Sequence, residues 1–168
     1  MDIFVWDEKF ITGLTQVDEQ HHQLAILFNE FSNSFYLLNS YPKTDLSVVF
    51  ARVVDYTRYH FQDEEALMRA EGVDARHVYA HTALHTQFVA QAQLMWERQS
   101  LMSNPDESLV AFLTSWLGLH SLGIDQSMAR QIHLIRQGIP APTAFDRDVH
   151  TYIYGEVDPR VRTDLMSV

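Results

Sequence analysis

The chain has 168 residues, with 12 Lys plus Arg against 22 Asp plus Glu and a formal net charge of -10 when the histidines are neutral. That is the length of one ordinary domain, and at 46% hydrophobic and 20% charged residues it is globular rather than disordered. The acidic balance excludes the basic footprint of a nucleic-acid binder and argues against docking on anionic lipid. Nine histidines and no cysteine exclude disulfides, thiolate nucleophiles and Cys-based metal sites, so any metal chemistry must run on imidazole and carboxylate. The N-terminal MDIFVWDEKF lacks the pattern of a signal peptide, and no run approaches the roughly eighteen apolar residues of a membrane span. A soluble, cytoplasmic protein without membrane or nucleic-acid partners is expected.

Only six glycines and five prolines occur, and Pro140, Pro142 and Pro159 fall late in the chain, so breakers are sparse where helices would run. From Asp18, a plausible N-cap, Leu24, Leu27, Phe28, Phe31, Phe35 and Leu38 recur at three- and four-residue steps and predict a first helix that dies at NSYPK. A second helix is expected from about Asp45 to about Ala70, with Val49, Val53, Tyr56, His60, Glu64 and Leu67 along one stripe and Gly72 breaking it. The third opens near Asp74 and extends to about Met102, where SNPD turns the chain. The fourth starts at Glu107 or Ser108, with Asp106 as its cap, and ends where Gly138 can take the position after the last turn and Pro140 forbids continuation. Four such helices on short loops predict an all-α, up-down-up-down four-helix bundle over residues 1–138, preceded by an extended N-terminal segment. Residues 139–168 read as a C-terminal extension or linker, with an alternating patch, HTYIYGEV, and a short helix capped by Asp158 and Pro159. Packing on the bundle, connection to a partner and self-association are all open to it.

The histidines are at 21, 22, 60, 77, 81, 85, 120, 133 and 150. Four residues along a helix is a rotation of about 40° and a rise of about 6 Å, so His81 and His85 can offer ring nitrogens to one ion, as can His60 with Glu64. A single helical histidine is more often a hydrogen-bonded core residue than a ligand. Here, however, His21, His60 with Glu64, His81 with His85, and His120 sit on four different predicted helices, each on or beside the apolar stripe. Ionisable groups from all four helices aimed at one core demand a cation between them. HExxH and the facial-triad spacings are absent, and only one ExxH occurs, Glu19 to His22, so zinc-peptidase and ferritin-like patterns fail. A nitrogen-rich set suits iron, copper or zinc better than magnesium or calcium.

The strings VDEQHHQL, YHFQDEEALM, HTALHTQF and WLGLHSLGID, with Trp6 and Gly13 upstream, resemble the bacterial hemerythrin family over about residues 3–137. The resemblance implies a non-haem, oxo- or hydroxo-bridged centre of two iron ions with O2 as ligand. His81, His85 and His120 would hold one iron, His21 and His60 the other, and Glu64 and Asp125 would bridge them. His21 is preferred to His22 because the neighbours lie about 100° apart and Leu24 and Phe28 share the face of His21. His77 competes with His81 for the HxxxH register, but Phe88 favours 81 and 85, which leaves His77 as a largely solvated residue. His120 and Asp125 are five apart, about 140° of rotation, so an ideal helix would not aim both at one point. Bridging by Asp125 therefore predicts a locally widened turn near Leu122 and Gly123.

Trp116 and Leu117 are carried over by the same resemblance as the wall of the oxygen pocket, and Ser121 stands where the family commonly has isoleucine. Either Ser121 bonds back to a carbonyl four residues earlier, or it makes that pocket wetter. Reversible O2 binding and O2 or redox sensing is the expected function, without enzymatic activity. The alternatives are peroxide turnover or O2 reduction at the same centre, or iron storage and detoxification. HSLGIDQSMARQI and the tail after it also look like hemerythrin domains placed ahead of signalling outputs. A signalling output domain or protein is thus the expected partner besides O2, whether the chain acts alone or as a sensory module.

Overall fold

The computed structural model describes residues 4–36 and 43–154. Helices dominate it: α1 (Thr15–Tyr36), α2 (Lys43–Glu71), α3 (Ala75–Glu97), α4 (Pro105–His120), α5 (Gln126–Arg136) and α6 (Ala141–Tyr154), with a widened π turn, Ser121–Asp125, joining α4 to α5. Among the described residues there is no strand and no helix long and apolar enough to cross a membrane. Leu38, the break expected after it and the short helix expected at Asp158 and Pro159 lie outside the described residues.

Local chemistry sets the helix ends. Gly72 (φ 69°) and Gly138 (φ 89°) take the left-handed conformation that glycine adopts without strain. Each completes the paired carbonyl closure typical of such ends: Val73 N–H donates to Met68 O and Gly72 N–H to Arg69 O, while Ile139 N–H donates to Leu134 O and Gly138 N–H to Ile135 O. Asp74 caps α3 by accepting from the Arg76 N–H at 2.9 Å.

Several expected boundaries shift. The first helix begins at Thr15 rather than after Asp18, because Asp18 reaches back from the first turn and accepts from Thr12 N–H, Thr12 Oγ1 and Gly13 N–H at 2.7, 2.7 and 3.1 Å. α3 stops at Glu97 and a short 3-10 turn, Gln99–Leu101, takes the place of its expected last residues. α4 starts at Pro105, whose missing N–H costs nothing at a helix start. HTYIY, which reads as an alternating patch, belongs to α6.

Neighbours α1 and α2, α2 and α3, α3 and α4, and α1 and α4 pack against each other and close the bundle, and α6 packs on α5. Two apolar clusters form its core. One gathers Phe28, Phe31, Phe50, Val53, Phe88, Ala92, Leu113 and Leu117, and the other Leu14, Val17, Met68, Met128 and Ile132. The chain order of these residues reverses from α1 to α2, as antiparallel helices require. On α1, His21 falls between Val17 of the second cluster and Leu24 of the first; on α2, His60 and Glu64 fall between Val54 and Met68. Polar residues therefore occupy one layer between two apolar ones.

Phe31 is fully buried and its ring lies 5.8 Å from Phe50. Phe31→Ala is expected to cost about 3–5 kcal/mol of stability, read by urea unfolding of the metal-free protein followed by helical circular dichroism.

Candidate metal centre

Seven candidate ligands from the sequence converge in that polar layer. His21, His60, Glu64, His81, His85, His120 and Asp125 are all buried. Their donor atoms form two overlapping groups, Glu64 with His81, His85 and His120, and His21 with His60, Glu64 and Asp125; within each group the atoms lie within 4.8 Å of one another. His120 Nε2 stands 3.1 Å from His81 Nε2 and 3.2 Å from His85 Nε2. Asp125 Oδ1 is 3.0 Å from both His81 Nε2 and His120 Nε2, while its Oδ2 is 3.1 Å from His21 Nε2. Glu64 Oε2 lies 3.3 Å from His85 Nε2 and 3.6 Å from His60 Nε2, and Oε1 lies 3.7 Å from His21 Nε2. Adjacent donors on one octahedral ion with bonds of about 2.1 Å are separated by about 3.0 Å. The shortest of these contacts match that edge.

The widened turn makes the arrangement possible. Between His120 and Asp125 the helix takes one residue more per turn, so the five-residue spacing brings both side chains to one point. Asp125 is fully buried there, where a regular turn would have rotated it away.

The remaining ring nitrogens fix tautomers. His60 Nδ1–H donates to Gln20 Oε1 at 2.9 Å, and Gln20 Nε2 donates in turn to Asp63 Oδ2 at 2.7 Å. His85 Nδ1–H donates to Glu65 Oε1 at 3.2 Å, and His81 Nδ1 meets His77 Nε2 at 3.3 Å. Each bond leaves Nε2 facing the cluster, the outer-partner arrangement of metal-binding histidines. Rings complete the packing: Phe61 stacks on His85 at 3.7 Å and Trp116 on His120 at 4.1 Å.

One expectation is corrected, and one of the two readings open for Ser121 is removed. His77 is buried, 4% exposed, and not solvated, because its Nδ1 finds Gln131 Nε2 at 2.9 Å on the neighbouring α5. Ser121 is buried with an unpartnered Oγ, so the bond back along the helix is not made. Of the other residues expected in the oxygen pocket, Leu117 is buried and Trp116 half-buried; the exposed His22 packs against Trp6. Gln20, Glu65 and His77 escaped sequence reasoning as partners of the candidate ligands, as did Gln131 as the partner of His77; the signal available was adjacency to a candidate ligand for Gln20 and Glu65, and the HxxxH spacing for His77.

The electrostatics point to cations. Both oxygens of Glu64 and of Asp125 are buried without a hydrogen bond, as are both ring nitrogens of His21. Burial alone would raise the Glu64 and Asp125 carboxyls; for Glu64 the surrounding His60, His21, His81 and His85 hold it well below its usual range, and for Asp125 His120 and His21 do so against the repulsion of Glu64. Burial opposes charge on His21 and His81, but Asp125 and Glu64 outweigh it and raise them to about 10 and about 9. Burial prevails at His60 and His77, each lowered to about 4, and also lowers His120. Two protonated imidazoles thus balance two carboxylates in the metal-free protein. The donor set fits a pair of divalent cations, which would meet every one of the orphaned carboxylate oxygens.

A buried imidazole and carboxylate metal site within a four-helix bundle is the class that fold and donors define together. The family model described as the hemerythrin HHE cation binding domain matches residues 12–132, and the chain belongs to the hemerythrin family. Hemerythrins are O2-binding non-haem iron proteins rather than enzymes. The chain is similar to the bacteriohemerythrin of Stenotrophomonas maltophilia (strain R551-3), 28% identical over 132 residues, which is 79% of this chain and 83% of that protein. It is also similar to those of Clostridium acetobutylicum, 22% identical over 74% of this chain and 97% of the relative, and Pseudomonas aeruginosa, 26% identical over 69% and 72%. No solved structure matches.

Because His21 and His81 hold protons near neutral pH, filling the site must displace them. Uptake of two divalent ions at pH 7.5 is expected to release about two protons per chain, and the logarithm of the overall affinity to rise by about 2 per pH unit from about pH 7 to 9. The rise flattens above the raised values of His81 and His21. Indicator-dye titration under anaerobic, weakly buffered conditions checks this; uptake without proton release contradicts it.

Proposed function

We propose that the chain holds two iron ions, one on His81, His85 and His120 and the other on His21 and His60, bridged by Glu64 and Asp125, and that it binds O2 reversibly to sense O2 or redox state. The observation that carries this reading is the division of Asp125, with Oδ1 beside His81 and His120 and Oδ2 beside His21. A carboxylate so divided serves two ions at once. Bound as a ferrous pair, the iron supplies the electrons for reversible O2 binding.

The chain's own residues do the rest. Three imidazoles, two carboxylates and the oxo or hydroxo bridge would make six donors on one side, and two imidazoles with the same carboxylates and bridge would make five on the other, so the two-histidine side would have the position to spare. Gln20 keeps the proton on His60 Nδ1 and Glu65 keeps it on His85 Nδ1, leaving each Nε2 as a donor. The apolar clusters above and below exclude water, which otherwise promotes irreversible oxidation of the centre. We place Leu117, Trp116 and Ser121 in the wall of the oxygen pocket. Ser121 brings an unpartnered hydroxyl to that wall, which favours a short-lived oxygenated state and hence sensing over storage.

In this reading residues 1–138 are the iron-binding bundle and residues 139–168 the linker to a signalling partner or to a second copy, in the cytoplasm. The relatives named bacteriohemerythrin support the O2-binding part.

Ultraviolet-visible spectra of the iron-loaded protein, reduced with dithionite and then exposed to air, are expected to show a band that appears with O2 and reverses on its removal. A spectrum indifferent to O2 contradicts the proposal. In stopped-flow measurements Ser121→Ile is expected to lengthen the life of the oxygenated spectrum several-fold, and equal lifetimes would remove Ser121 from the pocket.

A further inference from the structure

Helix α6 lies beyond residue 132, where the family match ends, yet it is tied to the donor cluster by side chains outside that cluster. Asp148, 4% exposed, accepts from Arg130 Nε at 2.6 Å and from the Ser127 hydroxyl. The buried Gln131 carboxamide places Nε2 3.3 Å from Ser127 Oγ, 3.5 Å from Asp148 Oδ2 and 2.9 Å from His77 Nδ1. The opposite nitrogen of that ring stands 3.3 Å from His81 Nδ1. On α3, Arg76 lies over the Phe145 ring at 4.1 Å and reaches Asp146 at 3.2 Å. Arg76 immediately precedes His77, so α6 grips both ends of the chain that leads to His81.

We infer that His77, Gln131 and Asp148 are positioning residues for His81, and that through them docking of α6 and loading of the metal centre favour each other. This rests on the two-iron reading above.

An ion on His81 Nε2 holds the ring proton on Nδ1, so that this N–H donates to His77 Nε2. His77 then directs its own N–H at the Gln131 carboxamide, whose Oε1 is buried without another partner and can receive it. On the far side the Ser127 hydroxyl lies between the carboxamide and Asp148 and can donate its one proton to either, and Arg130 fixes Asp148 whichever way the amide faces. A ring restrained in this way keeps Nε2 aimed at the ion. Outer partners of this kind are worth about 10- to 100-fold in metal affinity. By linkage, the part of that factor transmitted from α6 must reappear as firmer docking of α6 when the ions are bound.

Cobalt(II) is a suitable probe, because its affinity can be read by chelator competition and its number per chain by metal analysis, without any O2 chemistry. In the wild-type full chain, loading with two cobalt ions is expected to slow hydrogen exchange of the amides of residues 141–149. Asp148→Asn and Gln131→Leu are expected to weaken cobalt binding about ten-fold and to abolish the difference in exchange, with two ions still bound at saturation. His77→Phe should weaken binding similarly, and His77→Gln, which can still accept from His81, should restore most of it. Wild-type α6 exchange that ignores loading overturns the inference even if a variant fails to fold. So does cobalt affinity in Asp148→Asn and Gln131→Leu equal to the wild type. A wild-type chain that binds fewer than two ions overturns the two-ion reading, and the coupling with it.

Discussion

Glu64 and Asp125 sit fully buried at the centre of the bundle, and none of their four carboxylate oxygens accepts a hydrogen bond. Leaving water costs such charges several kcal/mol each unless something positive meets them. Protonated His21 and His81 balance that charge in the metal-free chain, and bound cations would take their place in the filled one. The rest of the structure answers this one demand. Apolar clusters lie on both sides of the donor layer and keep water out, and Gln20, Glu65 and His77 fix the rings that face inward.

The same demand explains the irregularity between α4 and α5. A regular helix carries His120 and Asp125 to different faces, so one helix can offer both only if a turn is widened. The Ser121–Asp125 turn does so with a glycine, Gly123, whose missing Cβ would have met nothing within 4 Å, so space did not force glycine there. The irregular backbone buys a second function for one helix: α4 supplies His120 to one group of donors, and the residue that ends the turn reaches both groups. It also sets the register of α5, whose Gln131 faces His77 and whose Arg130 and Ser127 hold α6.

Much of this was legible in the chain itself, for reasons that can be traced to particular residues. The four-helix bundle followed from apolar spacing, and the choice of His21 over His22 from the shared face of Leu24 and Phe28; His21 is buried and His22 exposed. The widened turn followed from the five-residue step between His120 and Asp125 once the hemerythrin resemblance implied that Asp125 bridges. What stayed hidden depends on contacts between residues far apart in sequence. His77 looks solvated until Gln131, 54 residues away, is seen to meet its ring. Gln20 acquires its role from His60, 40 residues on, and Asp148 from α5. Ends of helices escaped for a local reason, since Asp18 serves a helix start from inside the first turn instead of from before it. The alternation in HTYIY suits a strand, but α6 has a bundle face to pack on and no strand to pair with among the described residues.

The central claim is that two iron ions share Glu64 and Asp125 within the bundle. Crystals of the iron-loaded protein, measured with X-rays at the iron absorption edge, test it most directly. Two anomalous peaks per chain are expected about 3.5–4 Å apart, one against His81, His85 and His120 and the other against His21 and His60, with Asp125 touching both. A single peak, or peaks away from these residues, would contradict it.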